Sequence, residues 1–215
     1  MPQLDAARRD ALAEEFRRAL GAYRPGCRAV PLGSLAAGTA DAYSDIDLLW
    51  VVPDEIFGAC VAGAADCLGQ VLPVTSLRAD PDLQRSAKHR LLFVTFTGLP
   101  LFWRLDLVVR AASVADDDRF DVGNPAARGD DWSPAASALA NAVASVKAVC
   151  RDRPELAVGL LARGLHRVGA PDQVTGVWAD DIARLTRAAV AADPATADLA
   201  HQVTRLTEEF LPAER

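Results

Sequence analysis

Gly33-Ser34-Leu35-Ala36-Ala37-Gly38-Thr39-Ala40-Asp41-Ala42-Tyr43-Ser44-Asp45-Ile46-Asp47-Leu48 is the stretch on which the fold turns. It joins CRAVPL, which reads as a short strand, to DIDLLWVV, a β-branched and aromatic run that reads as a second one. Gly33 and Ser34 fall after the first strand and before a short helical stretch. Backbone N–H groups and a hydroxyl placed there can cradle phosphate oxygens, while a serine in that position can also serve as a helix cap. If Asp45 begins the second strand, Asp45 and Asp47 project from the same face, close enough to hold a divalent metal together. Two such carboxylates repel each other, and a bound cation is the simplest way to stabilise them. Asp41 and Ser44 read as organisers of the turn before that strand.

Outward from this stretch, Leu12, Phe16 and Leu20 recur every four residues and predict an amphipathic helix over 3–22. Residues 54–70 read as a helix with Ile56, Cys60, Ala64 and Cys67 on one face, and VLPVTSL as a strand. HRLLFVTF and LFWRLDLVV flank the turn residues Thr97 to Pro100, which predicts an antiparallel pair. In the second run Leu101, Trp103, Leu105, Leu107 and Val109 share one face, and Phe102, Arg104, Asp106, Val108 and Arg110 the other. Asp106, mid-strand in an apolar run, is the candidate third carboxylate. Arg104 on the same face either meets a triphosphate or pairs with a neighbouring acid. Lys88, His89 and Arg90 read as a solvated strand edge.

Between Val114 and Pro134 no apolar period survives, which predicts a linker. Beyond it, four alanine- and leucine-rich runs have helical spacing. The fold class is therefore α/β, a mixed sheet with flanking helices over 1–115 followed by a helical bundle over 134–215 whose face is expected to close a cleft over the sheet. Lys147 is one of only two lysines among 23 basic residues. Ala140, Val143, Lys147 and Cys150 form one helical stripe, expected to face the protein.

A net charge of −6 argues against a protein that grips a polynucleotide backbone, since such affinity rests on Lys and Arg neutralising phosphates. A small-molecule acceptor is the expectation. No apolar run approaches the ~20 residues of a membrane crossing, and the N-terminus lacks the basic-then-apolar order of a secretory signal, so the cytoplasm is the expected compartment. Cys27, Cys60, Cys67 and Cys150 form no CxxC pair and read as reduced thiols. Nothing in the sequence sets an oligomeric state.

The Gly-Ser, Asp-x-Asp and later Asp pattern resembles the nucleotidyltransferase superfamily that includes DNA polymerase beta. The long form, with Gly38, Asp41, Ser44 and the Asp-Ile-Asp-Leu ending, looks most like small bacterial aminoglycoside and lincosamide nucleotidyltransferases. The resemblance implies transfer of a nucleoside monophosphate from an NTP, ATP first, to a hydroxyl of an antibiotic-like acceptor, with release of pyrophosphate. It implies Asp45, Asp47 and Asp106 as catalytic carboxylates and ligands of two Mg²⁺ ions, and Gly33, Ser34, Arg104 and Lys147 as nucleotide contacts. Some relatives carry a glutamate four residues before the helical lysine as base; Val143 stands there, which shifts that role to Asp106 or, as the alternative, to an acid of the linker. The alternative is an antitoxin-like or regulatory module of the same fold that acts on or binds a protein or tRNA, and the C-terminal helices speak against the antitoxin form.

Overall fold

The computed structural model describes residues 4–130 and 132–211. It divides into two compact units that meet in the sequence between residues 132 and 133.

In the first unit Asp5 caps α1 (Ala6–Ala22), its carboxylate accepting from the N–H groups of Ala7 and Arg8. After it come β1 (Arg28–Pro31), the single turn α2 (Gly33–Ala37) and β2 (Ile46–Val52). The order continues with α3 (Phe57–Ala62), α4 (Ala64–Gly69), β3 (Val74–Ala79), β4 (His89–Phe96) and β5 (Leu105–Ala111). The strands form one mixed sheet in the order β1-β2-β5-β4-β3. β2 and β5 run parallel, and every other pair is antiparallel. Alternation along the strands sends Ile46, Leu48, Trp50, Leu105, Leu107, Val109, Leu92 and Val94 to one face, where Phe16 and Leu20 of α1, Cys60 of α3 and Leu68 of α4 close the core. Burying that face fixes what the opposite face can carry.

Four expectations change. The helix over 54–70 is a 3₁₀ turn followed by α3 and α4, broken at Gly63. A Cβ at Gly63 would lie 2.0 Å from the Tyr23 hydroxyl, so a larger residue would have to displace Tyr23, and the glycine that avoids this weakens a helix. Residues Leu101–Trp103 are a 3₁₀ turn rather than strand, and β5 starts at Leu105. The Trp103 indole N–H donates to the Ala42 carbonyl at 2.9 Å, which holds this turn against the loop before β2. The alternation holds from Leu105 onward, with Leu105, Leu107, Val109 and Ala111 buried. The segment expected as linker is bonded to the first unit: Arg85 N–H donates to Ala127 and Gly129 N–H to Pro81. His89, expected at a solvated edge, is buried, with its Nδ1 paired to the Phe120 carbonyl at 2.7 Å.

The second unit is helical: α5 (Pro134–Cys150), α6 (Pro154–Arg167), α7 (Trp178–Ala192) and α8 (Ala197–Phe210). α5 packs against the other three. Its buried face carries Ala138, Leu139, Ala142, Ser145 and Val146. The stripe of Ala140, Val143, Lys147 and Cys150 is only half-buried, because the small alanines rather than that stripe allow the helices to approach. No helix among the described residues is long and apolar enough to cross a membrane.

Candidate functional site

The register of β2 against β5 builds the site. Asp47 is the direct partner of Asp106 across the parallel pair. In-register residues share a sheet face, so both carboxylates leave the face opposite the core, on strands about 4.8 Å apart. Asp45 lies one residue before β2 rather than within it, half-buried, where the chain is tied to β5 by the Ile46 N–H bond to the Arg104 carbonyl at 3.0 Å.

Gly33 closes the other flank. Its φ is +54°, and a Cβ there would lie 2.6 Å from an Asp47 carboxylate oxygen. Glycine is required twice at this point, by the left-handed backbone and by the close approach. The first turn of α2 is thereby held against Asp47. Leu32, not Ser34, is the N-cap of α2, so the cap role is not what Ser34 does. Ser34 Oγ makes no hydrogen bond among the described residues.

The loop from Gly38 to Asp45 is held from three sides. Ser44 Oγ donates to the Asp41 carboxylate at 3.0 Å, which also accepts from the Tyr43 N–H, as turn-organising roles require. The Tyr43 ring meets the Phe102 ring edge-on at 5.5 Å. Arg9, only 1% exposed, donates from its guanidinium to the Asp41 carbonyl. Sequence reasoning missed Arg9, although Arg9, Ala13, Phe16 and Leu20 lie on one helical stripe and an arginine on an apolar stripe is a signal that it meets a partner.

Arg104 takes the second of its two expected roles in this structure. Its Nε and Nη2 bond both oxygens of Asp106, at 2.5 and 2.7 Å. Burial works against the guanidinium's charge, but the hydrogen bonds to Asp106 and the charges of Asp106, Asp45 and Asp47 outweigh it and raise its pKa. One cation thus feels all three aspartates. Among the described residues, no group of three or more His, Cys, Asp or Glu side chains stands ready to hold a metal ion. Both Asp106 oxygens are engaged by Arg104. In kind the donors fit a hard divalent cation, which takes carboxylate oxygens, and Asp47 and Asp106 share one face in register.

Lys147 lies on α5 of the helical unit and is half-buried there. A cavity of about 300 Å³ opens on the α1 side of α2, lined by Arg9, Ala13, Leu35 and Leu48 among others. Leu48 points to the core face, so this cavity is not the aspartate site.

No protein-family model matches the chain, and no curated protein matches it either. Among solved structures, it is similar to a cytoplasmic RNA terminal U-transferase, with 21% identity and a TM-score of 0.35, covering 67% of this chain and 39% of that one. It is also similar to the Cid1 poly(U) polymerase, with 16% identity and a TM-score of 0.36, covering 74% of this chain and 48% of that one. The chain therefore spans less than half of either. Both of these proteins are named for RNA or poly(U), which stands against the expectation that a nucleic acid is an unlikely partner. The premise of that expectation was also too coarse physically, because a net charge of −6 averages over the whole surface.

Proposed function

We propose that the chain transfers a nucleoside monophosphate from an NTP to an acceptor hydroxyl. The in-register pair Asp47 and Asp106, with Gly33 packed on Asp47, carries this reading. Asp45, Asp47 and Asp106 would hold divalent magnesium, which on binding neutralises charge on the phosphates. The N–H groups opening α2 and the Ser34 hydroxyl bind phosphate oxygens beside Asp47. The acceptor oxygen bonds to the α-phosphorus as the bond to pyrophosphate breaks, and an Asp106 carboxylate oxygen takes the hydroxyl proton. For this Asp106 must leave Arg104, whose guanidinium is then available to the triphosphate. Lys147 is retained as a nucleotide contact on the sequence resemblance.

The sequence reading offered a small hydroxylated acceptor first and a module acting on or binding a protein or tRNA as the alternative. The RNA form agrees with the names of the two similar structures, while the small-molecule form rests on the sequence resemblance alone. One experiment tests both the reaction and the acceptor. The four NTPs with Mg²⁺ are offered in turn to a single-stranded RNA and to a panel of aminoglycosides, lincosamides and sugars, read by mass gain of the acceptor. A gain of one or more nucleoside monophosphates is expected with one class. No gain with any acceptor and no pyrophosphate release sinks the proposal.

A further inference from the structure

The row that holds the aspartates continues across the sheet. Asp106 on β5 is in register with Phe93 on β4, and Phe93 with Arg78 on β3. Asp47, Asp106, Phe93 and Arg78 therefore line one face in that order, Arg78 about 10 Å from the Asp106 strand and about 14 Å from the Asp47 strand. Two guanidinium groups share the Phe93 ring: Arg104 lies 4.7 Å and Arg78 5.7 Å from its centroid. Arginine stacks on aromatic faces without giving up its donors.

The two cations differ in what neutralises them. Arg104 has both Asp106 oxygens. The Arg78 side chain makes no hydrogen bond and no ion pair among the described residues. Burial and the charge of Arg104 both lower its pKa, and only Asp106 works the other way. A half-buried guanidinium repelled by a second one is stabilised by an anion. Beside it on the same face, Ser76 and Thr95 form a hydroxyl pair at 2.8 Å, which adds donors and no competing carboxylate. This set of donors lies on the far side of Asp106 from Gly33 and Ser34, so it is not placed to serve the same phosphates as they do.

We propose that Arg78, stacked on Phe93 and flanked by Ser76 and Thr95, binds a phosphate group carried by the acceptor. This rests on the nucleotidyltransferase reading for the word acceptor, but the anion site itself does not. The phosphate comes either from an RNA backbone or from a phosphorylated small molecule, and two probes separate these sources.

Binding of a fluorescent ten-nucleotide single-stranded RNA and of glucose 6-phosphate is measured for the wild type, Arg78→Gln and Arg78→Lys, without NTP. The wild type is expected to bind one probe, Arg78→Gln to weaken it about tenfold or more, and Arg78→Lys to recover part of the loss, since it keeps the charge but not the fork. Binding of RNA alone assigns a nucleic-acid backbone, and binding of the sugar phosphate alone a phosphorylated small molecule. Thermal melts of the variants are expected within a few degrees of the wild type. The KM for NTP is expected within twofold in Arg78→Gln, whereas that for the phosphate-bearing acceptor rises. Wild-type binding of neither probe, equal binding by Arg78→Gln, or a rise in the NTP KM alone overturns the proposal. Arg78-dependent binding without any nucleotidyl transfer keeps the anion site and removes the reaction assigned above.

Discussion

One face of the sheet has two contrasting ends, built on the same two strands. Toward the start of β2 and β5 it carries Asp47 and Asp106, half-buried and in register. Two and four residues further along, the same face carries Leu49 and Val51, which are 8% and 2% exposed and close on Ala115 with Val108 packed beside them. The polar and dry ends are separated by about one strand repeat of 6.6 Å. The dry end supplies burial that fixes the strands, and the polar end uses the resulting register to hold like charges side by side. A site of this kind needs both, because mutual repulsion of the carboxylates would otherwise spread the strands.

The comparison makes the two ends separable by mutation. The largest expected effect is at the polar end. Asp47→Asn or Asp106→Asn should lower kcat by more than about a thousandfold, roughly 4 kcal/mol of barrier; in metal-free buffer the melting temperature should be unchanged or raised for Asp47→Asn and lowered for Asp106→Asn, which leaves Arg104 without its partner. A folded variant with activity within tenfold of wild type would break the assignment. At the dry end the effect is on stability: Leu49→Ala should cost about 2–5 kcal/mol in urea denaturation while leaving kcat near wild type at temperatures where the protein is folded. If Leu49→Ala lost activity as Asp47→Asn does, the two ends would not be separable.

Gly33→Ala acts on both counts and sharpens the boundary between them. The left-handed backbone and the contact with Asp47 should cost about 1–3 kcal/mol of stability and displace the carboxylate, lowering activity about tenfold. Unchanged melting and turnover would mean that α2 does not press on Asp47. The smallest effect lies away from both ends. Burial lowers the His89 pKa, and its bond to the Phe120 carbonyl raises it only in part. The folded state thus binds a proton less readily than the unfolded chain. The stability this provides is present above the unfolded value of about 6.5 and is lost as pH falls from there toward the depressed folded value. Melting temperature should fall between pH 7.5 and 5.5, and less so in His89→Gln; identical slopes would remove His89 from the account.

The sequence displays the acids but not their pairing. Asp45 and Asp47 are legible because glycine, serine and two aspartates stand together in a short span, and Asp106 because an aspartate interrupts an alternating apolar run. That Asp106 faces Asp47 depends on strand order and register, which are set by burial across the whole sheet and leave no local mark. Arg104 was visible as a neighbour of Asp106, but its choice of partner depends on side-chain reach. Arg78 and Phe93 were invisible as a pair, since they are register partners on β3 and β4 that stand 15 positions apart in the chain. The strand assigned from Leu101 began too early because the Trp103 bond to Ala42 is a long-range contact that alternation cannot report. The helices of the second unit were plain from their periodicity, yet the face of α5 carrying Lys147 was misjudged because alanine burial, not side-chain size, selects the packed side.

The central claim is that Asp47 and Asp106 together hold the divalent cation with the triphosphate. Its most direct test is a titration of Mn²⁺, followed by electron paramagnetic resonance, in the presence of a non-hydrolysable NTP analogue, for the wild type, Asp47→Asn and Asp106→Asn. The account predicts bound Mn²⁺ in the wild type and affinity at least tenfold weaker in each variant. Equal Mn²⁺ binding by all three proteins would contradict it.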